Sequence, residues 1–386
     1  MKNFILSINC EYMIIDRLKS VMDRVKREKV FIIAFVLAIF TSFFIKPQIS
    51  YIDFKVIILL FNLMIIIAAF EKLKVMDKLA VGILAKCRDT RRVSLVFILV
   101  TFISSMLVTN DVALLTFVPL SIFTFKKAKV NSMKTIILQT LAANIGSSLT
   151  PMGNPQNLFL FTHYKLDGIQ FFSVTIPFVV IGLLWLLLLN KRVIKEEIKI
   201  SLEGVHIKDK KRFFIYFMLF LFVVLSVFGF VDYKYTFWGT ILCVTLMDKV
   251  LIKKVDYFLL GTFVCFFIFI GNISNVNFIQ VYLKEFLQKP TVPYFSSIVL
   301  SQVVSNVPCS ILISNFTDNW REVLLGVNIG GMGTIIASLA SLISYKIYTN
   351  KSGEKNKRYL VKFNVYNFFS LVVFTFLSYV YILLAL

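Results

Sequence analysis

The sequence predicts an all-α polytopic membrane protein with inverted-topology repeats, each containing a re-entrant helical hairpin and a broken transmembrane helix. Three observations lead there: the apolar content, the placement of the basic residues, and two apolar stretches broken by polar residues at matching places in the two halves.

Of 386 residues, 58% are hydrophobic and only 16% charged, with a mean hydropathy of +0.82. A water-soluble domain is about half apolar and about a quarter charged. This much apolar surface needs lipid as its solvent. The net charge of +21 could suit nucleic acid, but Lys and Arg cluster between apolar runs, as in the cytoplasmic loops of membrane proteins. No nucleic-acid partner is expected.

Apolar runs at 30–46, 54–70, 134–161, 169–190, 212–231, 235–252, 256–270, 321–348 and 362–384 read as nine spans, against the ~20 residues a helix needs to cross. Residues 1–29 are too long and charged for a signal peptide, and no small-residue cleavage site follows the run at 30–45. Two further stretches break internally. Residues 93–125 break at Thr109-Asn110-Asp111, and residues 293–317 at Ser305-Asn306-Val307-Pro308. Their halves, about 10–16 residues, would run roughly 15–24 Å, short of a bilayer core of about 30 Å. Re-entrant hairpins with polar tips near the midplane are therefore expected.

With the N-terminus inside and the C-terminus outside, 35 of the 42 Lys and Arg fall in cytoplasmic segments and 7 outside, a bias that supports this orientation. The domain reading follows: a cytoplasmic segment 1–29, a first membrane half 30–190, a cytoplasmic linker 191–211 and a second membrane half 212–386. The first hairpin enters from inside and the second from outside.

The order of parts recurs. Span 54–70, amphipathic stretch 72–88, hairpin 93–125, broken span 134–161 and span 169–190 are matched by 256–270, 275–288, 293–317, 321–348 and 362–384. The second set starts from the opposite side, the pattern of an inverted repeat. Small motifs recur with it. Asn110 and Asn306 sit at the hairpin breaks. Asn144-Ile145-Gly146 and Asn328-Ile329-Gly330 sit in the broken spans, followed by Ser147, Ser148, Thr150, Pro151, Gly153, Asn154 and Pro155 in one, and Gly331, Gly333 and Thr334 in the other.

Such breaks have specific chemistry. Unwinding a helix frees carbonyls on one side and N–H groups on the other. Carbonyls with Asn or Ser oxygens suit Na⁺, and half-helix N-termini suit an anion. Paired breaks point to a midplane site for ion and substrate. The candidates are Thr109, Asn110, Asp111, Asn144, Gly146, Ser147, Ser148, Thr150, Asn154, Ser305, Asn306, Asn328, Gly330 and Thr334, with Asn110, Asp111, Asn144, Asn306 and Asn328 as Na⁺ ligands. The alternative is helix packing, for which Gly326-x-x-x-Gly330 is a match. Asp111 is the one acid placed deep in the membrane, where a charge costs about 2.5–3.5 kcal/mol. It reads either as an ion ligand or as the N-cap of the second hairpin half.

Other chemistry finds no pattern. Cys10, Cys87, Cys243, Cys265 and Cys309 show no metal spacing and read as small apolar filler. His163 and His206 read as solvated loop residues. No phosphate-loop motif is present. A membrane-embedded enzyme would need clustered His, Asp, Glu or Cys, and a non-transporting scaffold would not need polar breaks.

At TNDVALLTFVPL (109–120), ANIGSSLTPMGNPQNLFL (143–160), SNVPCSILIS (305–314) and GVNIGGMGTIIASLASLISYKIY (326–348) the chain resembles permeases of the ion transporter superfamily. That group contains divalent-anion/sodium symporters, citrate transporters, and arsenite and sodium/proton antiporters. The resemblance adds Asn157 to the candidate site. It implies a secondary transporter that moves a small carboxylate or oxyanion with Na⁺ or H⁺ by an elevator motion. A homodimer in the cell membrane and no covalently bound cofactor are also implied. In the symporters a Ser-Asn-Thr tripeptide marks each hairpin tip. Here Thr109-Asn110-Asp111 and Ser305-Asn306-Val307 stand instead, and the first tip is closer to the antiporter branch. A sodium/proton antiporter using Asp111 is the runner-up.

Overall fold

The computed structural model describes residues 28–84, 87–198, 207, 209–352 and 356–385. Most of the 1–29 segment, part of the 191–211 linker, Cys10 and His206 lie outside the described residues. Among those described the regular elements are helices, without a strand beyond one isolated bridge between Asp89 and Glu197.

Seventeen α-helices follow in order. They are α1 (Lys29–Ser42), α2 (Phe54–Lys72), α3 (Val75–Leu84), α4 (Thr90–Leu107), α5 (Asn110–Lys127), α6 (Met133–Ser147) and α7 (Pro155–His163). Then come α8 (Gly168–Asn190), α9 (Lys210–Val227), α10 (Tyr233–Met247), α11 (Tyr257–Ser274) and α12 (Asn277–Leu287). The last five are α13 (Val292–Val304), α14 (Asn306–Ser314), α15 (Trp320–Gly330), α16 (Leu339–Ser352) and α17 (Asn356–Ala385). Aspartates start many of them. Asp89, Asp167, Asp209, Asp232 and Asp256 cap α4, α8, α9, α10 and α11, each side chain accepting from a backbone N–H of the first turn.

Among the described residues five helices are long and apolar enough to cross a membrane: α2, α4, α8, α11 and most of α17. Of the other expected spans, α1 and α10 are shorter, 134–161 and 321–348 are interrupted, and α9 has 18 residues but begins Lys210-Lys211-Arg212. The arms of the first hairpin, α4 and α5, are 18 residues each, about 27 Å of helix and longer than the expected half-spans. The reason is that helix runs past the apolar stretch at both ends, into Thr90-Arg91-Arg92 and Lys126-Lys127. The second hairpin has arms of 13 and 9 residues.

The chain divides into two compact units. One comprises residues to Asp53 with Asp256–Gln280, the other Phe54–Val255 with Val281–Leu386. In the first unit α1 packs on α11. Phe31 meets Phe258 edge-on, and Asn272 Nδ2 donates to Thr41 Oγ1 and Ser42 Oγ, both at 3.1 Å.

In the second unit α4 and α5 fold back on each other, with the Phe97 and Phe125 rings 6.3 Å apart. Gln139 of α6 ties the two arms: Ser121 Oγ donates to Gln139 Oε1 (2.7 Å), and Gln139 Nε2 donates to Thr101 Oγ1 (3.1 Å). α13 and α14 likewise pack together and against α15. The packing is also reciprocal: α5 lies on α16, and α14 on α7. One core joins α5, α6, α16 and α17 through Leu114, Val118, Ile136, Ala340, Tyr348 and Phe363. Residues 193–198 return across the start of α4, where Thr90 N donates to Glu196 O and Ile198 N to Arg88 O, both at 3.0 Å.

Candidate functional site

Four interruptions converge in the second unit. Each hairpin tip is a short break. Val108 and Thr109 leave helical geometry before α5 begins at Asn110, and Ser305 alone does so before α14 begins at Asn306. The breaks are tighter than expected, because the helix resumes at the asparagine itself. Asp111 is accordingly not the cap. Thr109 holds that position, and Asp111 is the second residue of α5, part-buried, its N–H bonded to Asn110 Oδ1 at 3.0 Å. An acid in a first turn complements the helix dipole.

The interrupted spans are held differently. After α6 the chain makes a short turn at Pro151–Gly153, and Asn154 then caps α7 by accepting from Asn157 N at 2.9 Å. After α15 an irregular stretch runs to α16, where Ser338 Oγ accepts from Ser341 N at 3.1 Å. The N-termini of α7 and α16 are thus capped by side chains. At the hairpin tips Thr109 and Ser305 make no side-chain capping bond.

The four asparagines expected as Na⁺ ligands are buried: Asn110 and Asn144 are 5% exposed, Asn306 and Asn328 4%. Asn110 Nδ2 reaches Asn144 Oδ1 at 3.5 Å. Asn144 Nδ2 donates to Gly331 O (3.2 Å) and Ser338 Oγ (3.3 Å), joining the first broken span to the second. Asn328 answers from the other side. Its Oδ1 accepts from Ser148 Oγ (2.9 Å) and Asn154 Nδ2 (3.3 Å), and its Nδ2 donates to Asn157 Oδ1 (2.8 Å). Asn306 N donates to Ala337 O at 3.0 Å, and Ser305 Oγ to the same carbonyl at 3.4 Å. Ser147 Oγ accepts from Asn154 Nδ2 at 3.2 Å.

Two candidates make close packing contacts. A Cβ on Gly146 would lie 2.3 Å from Phe102 O and 2.6 Å from Ser105 Oγ, and one on Gly330 would lie 2.7 Å from both Cβ and Oγ of Ser301. These glycines let α6 and α15 press against the first arms of the hairpins. Gly326 does the same, its Cβ meeting Ser297 Cβ at 2.6 Å. His163, expected in solvent, is part-buried at the end of α7. It packs on Phe159 and Tyr164, with Nε2 3.3 Å from Ser314 O. The helix carries two residues further than the span 134–161 allowed. Burial, with nearby Asp318, raises the pKa of Tyr164 beyond the usual phenol range; its hydroxyl donates to Thr317 O at 2.9 Å.

Residues outside the candidate set complete the centre. Ser105 lies five positions before Asn110 and Ser301 five before Asn306, so the Gly146–Ser105 and Gly330–Ser301 contacts occupy equivalent places. Thr150, six positions after Asn144, donates to Met106 O; Thr334, six after Asn328, donates to Gln302 O at 3.2 Å. Met106 and Gln302 each precede their tip asparagine by four. A register comparison of the two halves was the signal that could have found Ser105, Ser301, Met106 and Gln302. Ser338 and Ser341 lie in a quoted segment but carry no breaker signature.

The electrostatics are simple. Among the described residues no Lys, Arg or His is buried, and no group of three His, Cys, Asp or Glu is placed to hold a metal. The centre offers carboxamides, hydroxyls, backbone carbonyls and helix N-termini. Such groups bind small ions of either sign and carry no nucleophile–base pair.

A family model described as citrate transporter matches residues 18–318. The chain is 36% identical over 300 residues to an uncharacterised transporter of Methanocaldococcus jannaschii, covering 77% of this chain and 81% of that one. It is 29% identical over 320 residues to the inner membrane protein YbiR of Escherichia coli, covering 82% and 85%. A Dictyostelium discoideum transporter named arsB is 31% identical over 133 residues, 34% of this chain and 24% of that one.

Proposed function

The chain belongs to the citrate transporter family, and from that premise we propose that it is a secondary active transporter of a small carboxylate or oxyanion, coupled to Na⁺ or H⁺. The observation that carries the reading is the buried, uncharged polar centre in which Asn110, Asn144 and Asn328 meet interrupted chain from both halves. An anion there has no buried Lys or Arg to neutralise it. Two negative charges in low dielectric are costly without compensating cations. The anion would sit at the uncapped N-termini of α5 and α14, with cations beside the tips, held by Asn110, Asp111, Asn144, Asn306 and Asn328. Coupling then follows: each ion raises the affinity for the other, by the same factor in both directions.

The matched contacts of the two halves support an inverted repeat. The 35-to-7 bias of Lys and Arg supports an N-terminus inside, with hairpins entering from opposite sides, and the family resemblance supports an elevator motion within a homodimer of the cell membrane. The test is a substrate screen in proteoliposomes: uptake of labelled carboxylates and oxyanions with and without inward Na⁺ or H⁺ gradients. Gradient-dependent anion uptake is expected. Asp111, part-buried in the first turn of α5 beside Asn110, favours a second reading, sodium/proton exchange with Asp111 as carrier. A pH dye in the same vesicles separates the two. Proton movement driven by Na⁺ with no anion uptake would replace the first reading by the second.

A further inference from the structure

α15 ends at Gly330, with Gly331 N on Val327 O (3.1 Å) and Met332 N on Ile329 O (3.0 Å) as its closing bonds, and the carbonyls left without a following helix need other partners. Two of them, Gly330 O and Met332 O, find one side chain from the hairpin. Gln302 Nε2 donates to Gly330 O at 2.7 Å and Met332 O at 3.0 Å, while its Oε1 accepts from Thr334 N at 2.9 Å. Thr334 Oγ1 returns a bond to Gln302 O at 3.2 Å. Gly333 makes the approach possible. Its φ is +105°, and a Cβ there would lie 2.3 Å from Gln302 Oε1. The first half solves the same problem from within. Asn157 Nδ2 reaches Ser147 O, Ser148 O and Thr150 O at 3.3–3.5 Å, and Asn157 belongs to the interrupted span itself.

We propose that Gln302 is a positioning residue for the coupling ion: its carboxamide stands in for the missing helix bonds of residues 330–334 and joins the tip of α13–α14 to the unwound chain. Two neighbours make this consequential. Gly331 O receives Asn144 Nδ2, and Ala337 O receives Asn306 N. Both asparagines are therefore placed by a segment whose path Gln302 sets. In the first half the corresponding position is Met106, which has no amide to offer.

The proposal rests on the transporter reading for its link to the ion, so the experiment has two arms. Hydrogen exchange of the full-length protein in lipid nanodiscs reports on residues 331–338 directly. Gln302→Ala is expected to speed exchange there tenfold or more. Gln302→Glu loses both donors when ionised and regains one when protonated, so its protection relative to wild type should recover at acid pH, whereas that of Gln302→Ala should not. Should Gln302→Ala fail to accumulate, Gln302→Met keeps the side-chain length without the amide. In proteoliposomes the same variants should lower the apparent affinity for Na⁺ or H⁺ at least tenfold, with near-normal maximal uptake at saturating ion. Exchange unchanged in 331–338 would overturn the proposal. Faster exchange with unaltered ion affinity would overturn it too, by reducing Gln302 to a structural tie. A wild-type protein without cation-dependent uptake would sink the transporter reading and the ion half of the proposal, while the exchange arm still decides whether Gln302 holds the segment.

Discussion

Hairpin α4–α5 and hairpin α13–α14 meet their broken spans through the same two contacts and are then secured by different ones. In both, a glycine two residues after the buried asparagine packs on a serine five residues before the tip. In both, a threonine hydroxyl in the break donates to a carbonyl four residues before the tip. The amides then diverge. Gln139 clasps the arms of the first hairpin well below its tip, at Thr101 and Ser121. Gln302 binds the second hairpin at its tip, to the crossing chain. The shared contacts are those that let backbones approach. The divergent ones decide which part of each hairpin is held. The lesson is that one geometry can be kept by small residues while single carboxamides set where each hairpin is tied.

The glycines break the comparison most severely. Gly146→Ala sets a methyl against the backbone carbonyl of Phe102, which has no rotamer to yield, whereas Gly330→Ala meets the side chain of Ser301 and the Cα of Ile298. Overpacking costs about 1–3 kcal/mol. Gly146→Ala is expected at the upper end, and Gly330→Ala below it. Adding Ser301→Gly should recover much of the Gly330→Ala loss. Thermal unfolding of detergent-solubilised protein measures both, and equal losses without rescue would undo the distinction between backbone and side-chain contact.

Gln139→Leu comes next. It removes a buried carboxamide from Thr101 and Ser121, leaving two hydroxyls without that partner. Lost bonds of this kind cost roughly 1–3 kcal/mol. Hydrogen exchange should rise along 97–125 and stay unchanged at 331–338. A rise in both regions would show that the two hairpins are not separately held.

Thr334→Val and Thr150→Val should have smaller effects: about 2 kcal/mol for Thr334→Val, whose Oγ1 donates to Gln302 O and also accepts from Ala337 N at 3.1 Å, and about 1 kcal/mol for Thr150→Val, which deletes one neutral bond. Equal losses in thermal unfolding would show that the bond from Ala337 N contributes nothing.

Least of all should change at Cys87, between α3 and α4. Burial and then Asp89 raise its thiol pKa from 9.0, with Arg92 opposing. The thiolate is the reactive form, so maleimide labelling should be slow at pH 7 and quicken only above pH 9. Rapid labelling at neutral pH would contradict that environment.

The sequence made the helical, membrane-embedded character legible because lipid leaves so little choice: apolar runs must be helices and must pair their own backbone. Asn110, Asn144, Asn306 and Asn328 were legible because breaker residues surround them. Asp111 was misplaced by two positions as a cap, since the tip is tighter than Thr109-Asn110-Asp111 suggests. The arms of the first hairpin were judged too short, since the helix continues through charged ends that hydropathy excludes. What Gly146 and Gly330 pack against was not legible, because a glycine in sequence says only that a Cβ is unwelcome, not what would meet it. Gln302 and Gln139 gave no sign, because a lone glutamine in an apolar run acquires meaning only from the chain packed beside it.

The buried asparagine centre is tested most directly by cation-dependent anion uptake in proteoliposomes carrying Asn144→Ala or Asn328→Ala, with thermal stability measured on the same preparations. These two side chains join the broken spans of both halves. The expected result is loss of uptake by a factor of about one hundred or more, beyond what a stability change of roughly 1–3 kcal/mol explains in protein that remains folded. Uptake at the wild-type rate in both variants would contradict the central claim that this buried asparagine centre is where ion and substrate bind.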